Sequence, residues 1–454
     1  MASLLGELAM ARPISIDLFA GAGGLSLGFE QAGFDVAAAV EIDPVHCAVH
    51  KFNFPNTAII PRSIAGLTGA DIRLAAGLGR REIDCVFGGP PCQGFSMIGK
   101  RVLDDPRNAL VLDFVRIVAE LEAKTFVFEN VKGLTVGKHK AFLSELIAAF
   151  DAKGYEVVSP WKVLNAANFG VPQSRERLIL LGAKKGLALP RYPTETSNVI
   201  GSRKALKGIP DGPTCADALS DLPDAEKFEA LLDGDVVITN GFGSPSEYAA
   251  EMRCVTNDAW HYGYVRNWRP ALLTSSIRTN HSDISRRRFA ETKPGGTEPI
   301  SRFFRLAADG ISNTLRAGTD GARGAFTSPR PIHYAYDRCI TVREMARLHG
   351  FPDWFRLHTT KWHGARQIGN AVAPPLARAI AGSMMVALDQ EPSRPNQAIN
   401  LGDPALLQMQ LSEASRYFGV QAPNSKRDRK SGATKRKQYD IEVERIAALR
   451  VAHG

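Results

Sequence analysis

The first 186 residues alternate short apolar runs with amphipathic segments. The apolar runs of strand length are ISIDLF, VAAAVEI, IDCVFGG, TFVFENV and RLILLGA, and helix-like segments such as LSLGFEQAG, PVHCAVHKF and HKAFLSELIAAF separate them. Apolar strands that alternate with helices are typical of a mostly parallel sheet covered on both faces. The sequence therefore predicts an α/β fold for this part of the chain.

This rhythm breaks after about Gly186, where Pro, Gly, Ser, Asp and Arg become frequent until about Thr341. Such a stretch predicts a second, smaller and loop-rich domain. Helical patterns return in TVREMARLHGF and AVAPPLARAIAGSMMVALDQ, and the second is long enough to pack back onto the first domain. The predicted parts are residues 1–186, the first part of the large domain; 187–310, the loop-rich domain; 311–391, its remainder with the returning helices; and 392–454, a basic, flexible tail.

Basic charge is in excess over the whole chain. The net charge is +9 and the isoelectric point is near 9.2. This favours a polyanionic partner, because basic side chains that neutralise phosphates release bound counterions. The tail segment SKRDRKSGATKRKQ concentrates this charge, and it is either a solvated tail or a nucleic-acid contact.

The sequence shows neither a membrane-spanning pattern nor a disulfide framework. No apolar run reaches the roughly twenty residues of a transmembrane helix, and the N-terminal MASLLGELAMARPIS lacks the pattern of a signal peptide. The six cysteines are scattered without a CxxC pair, so neither a disulfide scaffold nor a zinc knuckle is predicted. We expect a protein of the cytoplasm or nucleoid, with no membrane association.

A glycine-rich turn follows the first predicted strand. In AGAGG, Gly21, Gly23 and Gly24 allow a tight turn and a close approach of the backbone to a ligand. Glu41 ends the next strand, about twenty residues on, where a carboxylate can accept hydrogen bonds from both ribose hydroxyls. The pattern predicts a nucleotide-like cofactor, and NAD and S-adenosylmethionine satisfy it equally.

The predicted strand IDCVFGG leads directly into the sequence GPPCQGFS, which contains Cys92. Cys92 therefore lies in a rigid loop at the carboxyl edge of the sheet, where α/β enzymes carry out their chemistry. Cys47 and Cys85 lie within apolar runs and are expected to be buried and inert. His46 and His50 have the spacing of metal ligands on a helix, but no third ligand is evident and no metal site is predicted.

Several motifs resemble those of the DNA cytosine-5 methyltransferases of bacterial restriction-modification systems. The motifs are DLFAGAGG, GGPPCQGFS, FENV, QSRERLIL, DRCITVREMARLHGFPD and QIGNAVAPP, in the order and spacing of that family. The resemblance covers roughly residues 14–186 and 311–386. It implies a Rossmann-like S-adenosylmethionine-dependent methyltransferase fold, with the loop-rich stretch as target-recognition domain.

The resemblance also implies catalytic roles. Cys92 attacks carbon 6 of the cytosine and so makes carbon 5 a nucleophile. Glu129 holds N3 and the exocyclic amine and lends a proton. Arg177 contacts the cytosine O2, while Arg175 supports the site and the nearby backbone.

The cofactor of such an enzyme is S-adenosyl-L-methionine, and its binding residues carry over motif by motif. The matching positions are Phe19, Gly21, Ala22, Gly23, Gly24, Glu41, Ile42, Pro90, Leu110, Asn370 and Ala371. The family often places an acidic residue after the third strand, and here the segment reads PRSIAGLTGADI. Ser63 is the closer positional match and Asp71 is the alternative.

The implied partner is double-stranded DNA, with the target base flipped out of the helix. Candidate DNA contacts in the middle domain are Arg266, Arg269, Arg278, His281, Arg286, Arg287 and Arg288. We expect a monomer, and a restriction endonuclease that acts on the same site without forming a stable complex with it. The alternatives are a transfer RNA methyltransferase, a catalytically silent relative and a nicotinamide dehydrogenase.

Overall fold

A mixed sheet forms the centre of the computed structural model, which describes residues 12–91, 109–135, 139–202, 205–318 and 329–421. Its eight strands are β1 (Ile14–Leu18), β2 (Asp35–Val40), β3 (Ala58–Ile60), β4 (Cys85–Gly88), β5 (Thr125–Val131), β6 (Tyr155–Val157), β7 (Lys162–Asn165) and β8 (Glu176–Lys184). The strand order is β3-β2-β1-β4-β5-β8-β6, and β7 also pairs with β8. The first five strands in this order, β3, β2, β1, β4 and β5, are parallel to one another. This confirms the predicted mostly parallel sheet.

Among the described strands of this sheet, only β8 runs against this direction. β8 is antiparallel to β5, with Val131 opposite Arg177 and Glu129 opposite Ile179. β6 and β7 are in turn antiparallel to β8. The pairing brings the FENV and QSRER motifs side by side at one edge of the sheet.

Helices cover both faces of the sheet, as predicted. Those of the first half are α1 (Gly24–Ala32), α2 (Pro44–Asn53), α3 (Gly69–Ala75), α4 (Ala109–Glu120) and α5 (His139–Ala152). Alternate strand side chains face opposite ways, so Phe126 and Phe128 pack among the residues of α4 and α5. Val127 faces the other core, where α1 packs. None of the helices in the described part of the chain has the length and apolarity that a membrane crossing requires.

The returning helices close the large domain. They are α9 (Val342–Leu348), α10 (Lys361–Asn370) and α11 (Pro374–Ala387). A Cβ at Gly28 of α1 would lie only 2.3 Å from the Cβ of Ala377 in α11. The close approach of these two helices therefore requires glycine at position 28.

The middle region has short elements joined by long loops. They are α6 (Cys215–Leu219), α7 (Glu247–Met252), α8 (Asp283–Glu291), β9 (Val237–Ile238), β10 (Arg266–Asn267) and β11 (Leu272–Leu273). Leu219, Leu231 and Leu306 share one apolar core with Phe52 of α2 and Met345 of α9. The region is loop-rich, as predicted, and it packs directly on the helices of the large domain.

The predicted start of the tail at residue 392 is wrong. β12 (Ile399–Asn400) pairs with β10, and α12 (Leu411–Tyr417) packs on α2 together with a 3-10 turn at Pro404–Leu407. The amide of Gly402 donates to the carbonyl of Phe52 at 2.8 Å. The segment 399–418 is therefore a strap bound to the large domain, and the basic SKRDRKSGATKRKQ lies outside the described residues.

Candidate active site

The glycine-rich turn lies between β1 and α1. Phe19, Gly21 and Gly23 all have positive φ, at 66°, 54° and 103°. A Cβ at Gly21 would meet no atom within 4 Å, so the turn faces open space there. A Cβ at Gly23 would lie 2.5 Å from the ring of Phe54, so that position requires glycine.

Glu41 holds this turn from the end of β2. Its Oε2 accepts a hydrogen bond from the Gly21 amide at 2.8 Å, and its Oε1 accepts one from the Asp43 amide at 2.8 Å. Ile42, beside it, is 56% exposed although it is apolar. A fixed carboxylate, an exposed aliphatic side chain and an open glycine turn fit the ribose and base of a nucleoside cofactor.

The end of α10 meets the same turn. A Cβ at Gly24 would lie 2.4 Å from the carbonyl oxygen of Val372 and 2.9 Å from the Cβ of Ala371. Asn370, the last residue of α10, is exposed. The structure thus brings the QIGNAVAPP motif against DLFAGAGG, and both can bind one cofactor.

The other predicted cofactor residues lie around the same edge. The Ser63 hydroxyl follows β3 and accepts from the Ala65 amide at 3.2 Å. Asp71 instead caps α3, because its Oδ2 accepts from the amide and hydroxyl of Thr68. This leaves Ser63 as the better candidate. Pro90 is buried, and Leu110 packs on the sheet from α4.

Glu129 and Arg177 form an ion pair at the carboxyl end of β5. Arg177 Nε lies 2.9 Å from Glu129 Oε1, and both side chains are mostly buried. Burial raises the pKa of Glu129 above its usual value, although Arg177 and Arg175 oppose this shift. A Cβ at Gly89 would lie 2.4 Å from Glu129 Oε2, so the carboxylate packs against the segment that leads into the Cys92 loop.

Arg175 is 1% exposed and binds backbone carbonyls. It donates to Gly369 at 2.9 Å, to Ala371 at 2.7 Å and to Leu315 at 3.1 Å. Burial and the neighbouring charge of Arg177 lower the pKa of Arg175 to about 9. Arg175 therefore joins the QSRER motif to the end of α10.

Cys92 lies outside the described residues, which stop at Pro91 and resume at Ala109. The structure places only the approach to it. β4 ends at Gly88 between β1 and β5, and the carbonyl of Pro90 accepts a hydrogen bond from Asn130 Nδ2 at 2.9 Å. The chain thus enters the cysteine loop beside Glu129.

Two buried side chains support the glycine turn and were missed as site residues. The ring Nδ1 of His50 lies 3.3 Å from the Gly21 carbonyl oxygen, and burial lowers the pKa of His50 to about 4. Asp17 accepts from the Ser26 hydroxyl at 2.6 Å, and burial raises the pKa of Asp17 to about 8. A carboxylate within the apolar strand ISIDLF is the signal that could have identified Asp17. Among the described residues no three His, Cys, Asp or Glu side chains form a metal-binding group.

Several predicted DNA contacts of the middle domain are structural residues. Arg266 is buried and forms a two-pronged ion pair with Glu30 of α1, at 2.6 and 2.7 Å. His281 accepts from the Cys339 amide at 3.2 Å, and burial lowers its pKa to about 4. Arg286 pairs with Glu226, Arg288 with Glu298, and Arg278 is half-buried near Phe228. Arg269 and Arg287 are exposed and remain candidates.

Replacing Arg266 is expected to damage the fold. Arg266→Ala leaves the Glu30 carboxylate buried without its partner, which costs about 3 to 5 kcal/mol in the free energy of unfolding. Arg269→Ala, the matched exposed change, should alter that free energy by less than about 0.5 kcal/mol. Urea denaturation of both variants measures the difference, and equal midpoints would contradict the structural role of Arg266.

The sheet and the site together define a class of protein. A mostly parallel sheet with a glycine turn after β1 and a carboxylate after β2 is the Rossmann-like arrangement of α/β proteins that bind a nucleoside cofactor. The chain belongs to the C-5 cytosine-specific DNA methylase family, whose model matches residues 14–385. The protein is accordingly a DNA cytosine-5 methyltransferase, and the nicotinamide dehydrogenase, silent-relative and transfer RNA alternatives are set aside.

Relatives of similar length support this assignment. The chain is 57% identical to the Type II methyltransferase M.XorII of Xanthomonas oryzae pv. oryzae, over 90% of this chain and 93% of that protein. It is 33% identical to the Type II methyltransferase M1.HphI of Haemophilus parahaemolyticus, over 82% of this chain and 86% of that protein. A crystal structure described as a prophage-encoded DNA modification methyltransferase from E. coli matches with a TM-score of 0.65 and 32% identity, over 83% of this chain and all of that one.

Proposed function

We propose that the protein transfers a methyl group from S-adenosyl-L-methionine to carbon 5 of a cytosine within a specific double-stranded DNA sequence. One observation carries the proposal. The Glu129–Arg177 pair, the approach to Cys92 and the Asn370–Ala371 end of α10 meet at one edge of the sheet, beside the Gly21 turn. The base and the cofactor would therefore bind next to each other.

The chemistry that we assign to the chain's own residues is covalent. The Cys92 thiolate forms a bond from Sγ to carbon 6, and the electron pair displaced from the C5–C6 double bond makes carbon 5 nucleophilic. Glu129 would supply a proton at N3 as negative charge builds on the ring, and its raised pKa makes the acid form easier to reach than in an exposed glutamate. Arg177 lies beside that carboxyl and would donate to the cytosine O2.

The cofactor supplies an electrophilic methyl group when it is bound. Glu41 would accept from the ribose hydroxyls, Ile42 would pack on the adenine, and the Gly21–Gly24 turn with Asn370 and Ala371 would enclose the methionine part. After carbon 5 has taken the methyl group, a solvent water would accept the carbon 5 proton. The electron pair of that C–H bond would restore the C5–C6 double bond while the Sγ–C6 bond breaks and leaves its pair on the Cys92 thiolate. The N3 proton would return to the Glu129 carboxylate.

The target base would leave the duplex to reach this site. In a stacked helix, carbon 5 and carbon 6 are inaccessible to a cysteine at the edge of a sheet, so the base must be flipped out. We propose that the middle domain holds the duplex during this step and that exposed arginines such as Arg269 and Arg287 contact it.

We further propose a place in restriction-modification. The two relatives described above are named Type II methyltransferases. The protein would act as a monomer, on the bacterial nucleoid, and protect sites that a separate restriction endonuclease cleaves.

Bisulfite sequencing tests the function directly. Unmethylated plasmid DNA is incubated with the full-length protein and S-adenosylmethionine, and a parallel sample contains S-adenosylhomocysteine instead. We expect protected cytosines in one short sequence context in the first sample only. Uniform conversion in both samples would contradict the proposal.

The salt dependence of DNA binding is expected to reveal the contribution of the tail. A chain that ends at Gln421 keeps the strap 399–418 and loses the basic segment 425–438, so its fold should persist while its affinity falls. Each lost phosphate contact lowers the slope of log affinity against log salt by about 0.9. Fluorescence anisotropy with a DNA duplex at several salt concentrations measures that slope.

A chain that ends at residue 398 is the matched control for this truncation. It also lacks the strap and should lose thermal stability, because β12 and α12 no longer cover β10 and α2. An unchanged salt slope in the Gln421 chain would show that the tail is only solvated.

A further inference from the structure

A buried chain of hydrogen bonds runs from the QSRER motif through a histidine to the end of α10. Gln173 and His349 are both fully buried. Gln173 Nε2 lies 2.9 Å from His349 Nδ1, and His349 Nε2 lies 3.1 Å from the carbonyl oxygen of Ala371. None of the chemical roles assigned above uses this histidine.

The hydrogen bonds define the tautomer of the ring. Gln173 Oε1 accepts from the Leu315 amide at 3.0 Å, so its amide nitrogen is the atom that faces His349. Nδ1 of His349 must then accept, and the ring proton lies on Nε2, where it is donated to Ala371. A protonated ring would place two donors face to face between Nδ1 and the Gln173 amide.

The surroundings keep the ring neutral. Its charged neighbours are Arg175 and Arg177, and Phe351 stacks on it at 5.7 Å between ring centroids. Burial and these two positive charges hold the pKa of His349 well below its usual value. The ring therefore keeps its single donor aimed at Ala371 over the working pH range of most enzymes.

Ala371 is held from two directions. Its carbonyl oxygen accepts from His349 and also from Arg175 Nη2 at 2.7 Å. On the other side, its Cβ lies against Gly24 at the start of α1. A shift of Ala371 would change the distance between the end of α10 and the glycine turn.

We propose that His349 is a positioning residue of the cofactor site, which sets the place of Asn370 and Ala371 against the Gly21–Gly24 turn through its bond to Ala371. This inference rests on the proposed function, in which these two segments hold S-adenosylmethionine. His349 is fully buried, so it would act through the backbone at the end of α10 and not by direct contact with the cofactor or the base.

The test compares His349→Leu with His349→Gln in the full-length protein. Leucine removes both hydrogen bonds, whereas glutamine offers one acceptor to Gln173 and one donor to Ala371. We expect His349→Leu to weaken S-adenosylmethionine binding and raise its KM about fivefold to tenfold, the equivalent of one lost hydrogen bond. Turnover at saturating cofactor should stay within about twofold of the wild type, because the bond serves binding. His349→Gln should restore most of the affinity.

A second buried histidine provides the matched control. Nδ1 of His333 accepts a hydrogen bond from the Ala335 amide, and its Nε2 lies near Glu344. Within the described residues, no hydrogen bond joins His333 to the end of α10. His333→Leu should leave cofactor affinity unchanged when measured by calorimetry well below its melting temperature. Equal loss of affinity in both leucine variants, or no rescue by glutamine, would overturn the inference.

Two further variants keep the result decisive. If His349→Leu does not fold, Gln173→Met removes the donor to Nδ1 and should weaken cofactor binding severalfold, and wild-type affinity would overturn the inference. Glu41→Gln tests the proposed cofactor site itself. Wild-type affinity in Glu41→Gln would count against that site, whereas loss in Glu41→Gln with wild-type affinity in His349→Leu would refute only the role of His349.

Discussion

A Cys92→Ala variant is expected to transfer no measurable methyl group to DNA while it binds S-adenosylmethionine as tightly as the wild type. The thiolate is the atom that we propose bonds to carbon 6, and without it carbon 5 of cytosine is a poor nucleophile. The cofactor contacts proposed for Gly21, Glu41 and Ala371 do not involve the thiol. Incorporation of labelled methyl groups into DNA measures the first property, and titration calorimetry measures the second.

Cys254 provides a matched control for this loss. It is a half-buried cysteine in the middle region, after α7. Cys254→Ala should transfer methyl groups at a rate close to that of the wild type. Residual transfer by Cys92→Ala above the background without enzyme, or loss of its cofactor binding, would count against the covalent role.

Glu129→Gln is expected to slow methyl transfer by about two or more orders of magnitude, the usual size of a general acid contribution. Glutamine keeps the shape that packs against Gly89, but it cannot give up a proton to the ring. It also removes the negative partner of Arg177. Single-turnover kinetics with saturating DNA and cofactor isolates this step from binding.

The control for this change is another paired glutamate. Glu251 of α7 lies 2.9 Å from His261 and 3.4 Å from Arg378 of α11. Glu251→Gln should leave the single-turnover rate near that of the wild type. A near-normal rate in Glu129→Gln would remove Glu129 from the proposed chemistry.

The order of strands and helices in the large domain could be predicted, because apolar runs indicate strands and glycines indicate the turns that follow them. ISIDLF, VAAAVEI and IDCVFGG form β1, β2 and β4. The direction of a strand could not be predicted in this way. β8 is an apolar run like β4, but it lies antiparallel to β5. Its direction depends on how the chain returns through β6 and β7, which no local pattern records. The strap 399–418 was missed for the same reason, because its short elements are stabilised by contacts with distant parts of the chain such as α2 and β10.

The site shows a similar division. The motifs identified Glu129 and Arg177, and the structure pairs them. Arg266 was proposed as a DNA contact only because it is a basic residue of the middle domain, and its buried pairing with Glu30, 236 residues away in the sequence, contradicts this. In the sequence, an arginine of a buried ion pair cannot be distinguished from a solvent-exposed arginine, because the partner lies far away along the chain. The role proposed for His349 could not be predicted from the sequence, because it rests on the contacts of the ring with Gln173 and Ala371, which only the fold brings together.

The close contact between α1 and α11 has a consequence for synthesis of the chain. A ribosome that has passed Lys184 has delivered every strand of the central sheet, yet α11 begins only at Pro374. At 5 to 20 residues per second, that face waits roughly 10 to 40 seconds for α11, covered until then only by α1 and by residues such as Phe169 and Val171. The nascent protein therefore passes through a long interval in which an apolar sheet face can bind a chaperone or another unfinished chain.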